Sequence, residues 1–122
     1  TLFSILVGCK GDNETILPPL DTAVNFQYKT TINVGGEGAS EITAFDKISK
    51  KLFTVNVESN EISIHDISDL TAPKKEISIN LNAYGAPNSV AVFDEKVAIA
   101  VENNVKQNPG KVLVFSIDHI KS

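Results

Sequence analysis

Three short segments recur in the same order along this chain. "ITAFD" (Ile42–Asp46) is matched by "VAVFD" (Val90–Asp94) at an offset of 48 residues, "LFTVN" (Leu52–Asn56) by "VAIAV" (Val97–Val101), and "ISIHDI" (Ile62–Ile67) by "VLVFSI" (Val112–Ile117). A glycine-containing loop precedes each copy, "GGEGAS" (Gly35–Ser40) in the first and "YGAPNS" (Tyr84–Ser89) in the second. Within each copy apolar residues alternate with a period of two and turn residues break the pattern, as in "KISK", "ESN" and "SDLTAP". Short strands of this kind separated by turns specify sheet, and nowhere does a helical period of 3.6 persist. The residue inventory agrees: Trp and Met are absent and β-branched residues are spread throughout.

A repeat of roughly 40–50 residues holding four strands is the pattern of a β-propeller blade, a unit that cannot cover both of its faces alone. The strands are "EITAFD", "KLFTVNV", "EISIHDI" and "KEISINL", then "SVAVFD", "KVAIAVE" and "KVLVFSID". The expected fold is therefore all-β: the N-terminal fragment of a β-propeller with about two four-stranded blades. The second is incomplete, because "DHIKS" (Asp118–Ser122) stands where its outermost strand would begin. "VNFQYKTTINV" (Val24–Val34) also alternates and is expected to form a preceding edge strand.

Charge and length narrow the function. A net charge of −4 with scattered acids lacks the basic stripe of a nucleic-acid binder. No apolar run reaches the roughly 18–20 residues of a membrane-spanning helix.

The first residues point to location. Leu2–Val7 is apolar, Gly8 is small, and Cys9, the only cysteine, is followed by the polar "KGDNET". "LVGC" (Leu6–Cys9) resembles the lipobox of bacterial lipoproteins, in which the cysteine is acylated and becomes the mature amino terminus. Two or more acyl chains anchor stably where one does not. The alternative is a core strand whose cysteine is a small hydrophobe. The expected organisation is residues 1–8 as a signal-peptide remnant, 9–22 as lipidated Cys9 with a flexible tether containing Pro18-Pro19, and 23–122 as propeller blades.

Two longer segments carry a resemblance. "ISIHDISDLTAPKKEISI" (Ile62–Ile79) is similar to the LVIVD-type propeller repeat through Asp66, Ile67, Ser68, Asp69 and Pro73, with Leu70 where a proline is usual. Over Gly36–Ser116 the chain resembles the start of the choice-of-anchor I family. That resemblance implies a roughly seven-bladed propeller outside the cytoplasm of a bacterium, attached to the envelope. Some members are labelled phosphatase-like.

Candidate chemistry is sparse. Asp66, Ser68 and Asp69 offer oxygens to calcium but also suit turn caps, and no calcium-binding loop pattern accompanies them. "GGEGAS" lacks the spacing of a phosphate loop and leads into a strand. His65 and His119 stand apart from each other, with no nucleophile elbow or clustered zinc ligands, and read as structural or solvated. In a propeller the first strand of each blade lines the central channel. Glu41, Asn88 and Ser89 begin such strands, and Glu102 closes "KVAIAVE". These four are the candidate ligand- or metal-binding residues, with calcium the possible metal. The expected function is an envelope-anchored lipoprotein whose propeller binds a protein or small molecule at the channel mouth. The alternative is a calcium-dependent phosphohydrolase of propeller type.

Overall fold

The computed structural model describes residues 27–120. Cys9, its lipobox and the tether to residue 22 lie outside the described residues. Seven antiparallel strands form two sheets. Sheet A is β1 (Thr43–Asp46), β2 (Lys51–Asn56), β3 (Glu61–Asp66) and β4 (Lys74–Asn80), in chain order. Sheet B is β5 (Pro87–Phe93), β6 (Lys96–Val101) and β7 (Lys111–Ser116), also in chain order. A 3₁₀ turn at Ile117–Ile120 follows, and no α-helix occurs among the described residues.

Side-chain chemistry at the breaks sets the hairpins. Asp46 is buried at the end of β1, and its Oδ2 accepts hydrogen bonds from Ser49 N (2.8 Å) and Ser49 Oγ (2.6 Å). The Ser49 hydroxyl, with help from backbone amides, holds the Asp46 carboxyl below its ordinary pKa against the opposing effect of burial. Asn56 Oδ1 accepts from Ser59 N (3.1 Å) in the next turn. Between β5 and β6 only Asp94 and Glu95 intervene, both at positive φ (47° and 60°), as a two-residue type I′ hairpin requires.

The two sheets share one core. Sheet A contributes Phe53, Val55, Ile62 and Ile64, flanked by Ala44, Ile77 and Ile79, all on one face that we call its front. Sheet B contributes Val90, Val97, Ile99 and Val101, flanked by Val92, Leu113 and Phe115. Burying each such side chain fully is worth about 1.5–3 kcal/mol.

Equivalent hydrogen bonds fix the correspondence between the sheets. Ile67 N donates to Lys50 O (2.9 Å), and Ile117 N donates to Glu95 O (2.8 Å). Lys50 and Glu95 share a left-handed backbone, at φ 58° and 60°. Ile62 and Ile64 thus correspond to Val112 and Val114, while Phe53 and Val55 correspond to Ala98 and Ala100. Those four residues of sheet B lie on the face turned away from sheet A. The front of A packs on the back of B, so the repeats stack in one sense like successive blades and do not meet face to face. This arrangement is all-β and propeller-like.

The structure corrects two expectations. Aligning "ITAFD" with "VAVFD" on their shared Phe-Asp is one residue out. Phe45 pairs with Leu52 on the back of A, whereas Phe93 pairs with Lys96 on the front of B, because the second hairpin is two residues shorter. A one-residue slip exchanges the faces of a strand, so Ala44 corresponds to Ala91. Second, residues 27–34 of the expected edge strand contain no strand. The alternation survives in burial, with Thr30, Ile32 and Val34 half-buried and Lys29, Thr31 and Asn33 exposed. No described strand offers this segment a ladder. A side chain holds it instead: Asn56 Nδ2 donates to Val34 O at 2.8 Å.

Candidate functional site

At the end of sheet B where β5 begins, the chain makes a bulge. Pro87 pairs with Val101 and Ser89 with Ala100, leaving Asn88 as the extra residue. Proline lacks an N–H and suits the first position of a strand. A bulge re-aims the side chain it carries. Asn88 Nδ2 donates to Glu102 Oε1 at 3.3 Å.

Glu102 is itself held by backbone. Its N–H donates to Ala86 O at 2.9 Å, and Gly85 lies so close that a Cβ there would stand 1.7 Å from Glu102 O. Gly85 also has φ +137°, a conformation side chains disfavour. On the other side, a Cβ at Gly110 would stand 2.7 Å from Val101 O. The intervening β6–β7 loop is braced by Asn103, whose Oδ1 accepts from Val105 N (2.9 Å) and whose Nδ2 donates to Pro109 O (3.3 Å).

The result is an open cleft of about 490 Å³. Asn88, Ser89, Glu102, Asn103, Lys106 and Asn108 supply its polar groups, and Ala100 supplies an apolar side chain. Of the four residues proposed from sequence, Asn88, Ser89 and Glu102 meet here. Glu41 does not line the cleft; it is exposed at the head of β1, next to Ile42, whose carbonyl accepts from Val55 N (2.9 Å). Sequence reasoning missed Lys106 and Asn108. Their only signal was the length of the loop between "KVAIAVE" and "KVLVFSID", which turns that loop into a lip.

The remaining candidates fall elsewhere. Asp66 Oδ1 accepts from Ser68 N (2.8 Å), and Asp69 Oδ1 accepts from Thr71 N (2.9 Å) and Thr71 Oγ1 (2.6 Å). Ser68 and Thr71 respectively lower the pKa of these two carboxylates, which act as turn caps. In "GGEGAS", Gly36 N donates to Glu58 Oε2 at 2.9 Å, and β1 follows. His65 is buried on the back of sheet A at 4% exposure, with no hydrogen-bond partner for Nδ1 among the described residues. Burial first, and then the charge of Lys75, lower its pKa. The His119 side chain lies outside the described residues. On the same back face, Glu61 Oε1 accepts from Ser78 Oγ (2.9 Å), Ser63 Oγ (3.0 Å) and Lys75 Nζ (3.1 Å). Burial pushes Glu61 up, but these donors outweigh it and its pKa is lowered. No group of three or more His, Cys, Asp or Glu placed to hold a metal occurs among the described residues.

The family model of the choice-of-anchor I domain matches residues 41–122, which is more than half of the chain. The chain belongs to that family, and membership implies an extracellular or surface-associated bacterial protein. No curated protein matches it.

Proposed function

For this member of the choice-of-anchor I family, we propose a surface binding module, anchored to the envelope by lipid at Cys9 and made of sheets stacked as the blades of a propeller. Its ligand occupies the cleft of Asn88, Ser89 and Glu102 at the head of β5, an end that would face the mouth of the central channel. One observation carries the reading: the Asn88 bulge and the close approach of Gly85 together hold an amide against a carboxylate at an open strand end. A strand terminus needing only solvation requires neither device. Front-to-back stacking supports the propeller, since it repeats one interface and leaves the next face ready for another sheet.

The test of binding is a thermal-shift screen of polar metabolites and envelope polymers. A hit should stabilise the wild type and lose that effect in the Asn88→Ala/Glu102→Ala double variant. If every hit stabilises both proteins alike, the cleft is not the site. For the anchor, Cys9→Ser should move the protein from the membrane to the soluble fraction. Retention on the membrane would refute lipidation.

A further inference from the structure

Resting on that reading of the cleft, we infer that its ligand is a hydroxyl-rich saccharide. Recognition of sugars demands groups that both give and take hydrogen bonds side by side, because each hydroxyl does both. Asn88 and Glu102 form such a pair. With one N–H given to Glu102 Oε1, the Asn88 amide keeps a second N–H and its carbonyl oxygen, and Glu102 keeps Oε2 as an acceptor. Asn108 adds another amide to the lining and Ser89 a hydroxyl. Ala100, on the front of sheet B, adds a small apolar surface for the C–H face of a sugar ring, while the Val101 side chain turns into the core. A volume of about 490 Å³ lies within the roughly 300–1,000 Å³ of small-molecule sites.

The same inventory argues against other ligands. A phosphate would meet the Glu102 carboxylate with only Lys106 among the lining residues to offset it. A planar base would want a stacking partner, and no aromatic side chain among the described residues lines the cleft. A calcium ion needs six to eight oxygens, more than one carboxylate and its amides arrange here.

The experiment is an NMR titration of the 122-residue chain, following the amides of residues 85–110. The probes are a neutral disaccharide, a uronic-acid disaccharide, glycerol and inorganic phosphate. At least one disaccharide should saturate with a Kd on the order of 1 mM, the weak affinity of an open site with few contacts. Glu102→Gln, which keeps the shape of the side chain, and Asn88→Ala should each weaken it about tenfold. Val112→Ser, on the same sheet face but outside the cleft, should leave it unchanged. A sugar response that survives Glu102→Gln overturns the proposal, as does no saturable shift with either disaccharide. Should phosphate bind instead and depend on Lys106, the saccharide is wrong while the cleft remains a ligand site. If no probe binds here and the metabolite screen is also blank, the binding reading fails with it.

Discussion

Sheets A and B put equivalent residues to opposite fates. Ile62 and Ile64 on the front of A are 0% and 1% exposed, whereas Val112 and Val114, at the same places on the front of B, are 66% and 63% exposed. Phe93 shares that open face at 84%. The back faces differ in chemistry as well. Where B presents Ile99, Leu113 and Phe115 to the shared core, A presents Thr54, Ser63 and His65. The apolar front is thus a property of the repeat, while its burial is a property of the neighbour. The back of A is the polar one, yet Thr54, Ser63 and His65 are buried there within the chain itself.

The sharpest way to break this comparison is a pair of truncations. Ile64→Ala should cost about 2–5 kcal/mol in urea denaturation, the usual penalty for emptying a core site. If Val114→Ala costs as much, the two fronts are not differently covered. A second pair contrasts the entry loops. Gly85→Ala must displace the Glu102 carbonyl and should cost about 3 kcal/mol, in the range of strained backbone positions. Gly38, with φ +75° and nothing within 4 Å of a Cβ, should lose about 1 kcal/mol on substitution. Equal losses would mean that Gly85 carries no special contact.

A smaller effect belongs to pH. His65 has a lowered pKa in the fold, so below its unfolded value of about 6.5 the unfolded chain binds a proton that the native site resists. Stability should fall as pH drops below about 6.5, and His65→Gln should flatten that fall. Sheet B carries Phe115 at the equivalent place, so the dependence should reside in A. The lowered carboxylates Asp46 and Glu61 act later in the same direction, losing their contribution as pH falls below about 4. An unchanged slope in His65→Gln would sink the assignment. The smallest expected effect is Val114→Ala itself, within about 0.5 kcal/mol for an exposed side chain.

Much of the fold was legible because sheet is written with a period of two. Every strand of the two sheets lies in a segment whose alternation and turns announce it, and the division into four and three strands follows from the repeat. Register was harder. The shared Phe-Asp of "ITAFD" and "VAVFD" conceals hairpins of unequal length, and only ladder pairing separates a terminal strand residue from a turn residue. Residues 27–34 alternate as a strand does, yet a strand needs a partner that alternation cannot guarantee. At the site, Asn88, Ser89 and Glu102 could be named from their positions at strand ends. The bulge that turns Asn88 towards Glu102 and the lip that brings Lys106 depend on backbone packing around Gly85 and Gly110, which no single residue announces.

Front-to-back stacking is tested most directly by thiol labelling in a Cys9→Ser background. In the 122-residue chain, cysteine placed at Val112 should react at nearly the rate of the denatured chain, while cysteine at the equivalent Ile62 should be protected until the protein unfolds. Similar protection at both positions would mean that equivalent faces meet in one core, and the stacking described here would be wrong.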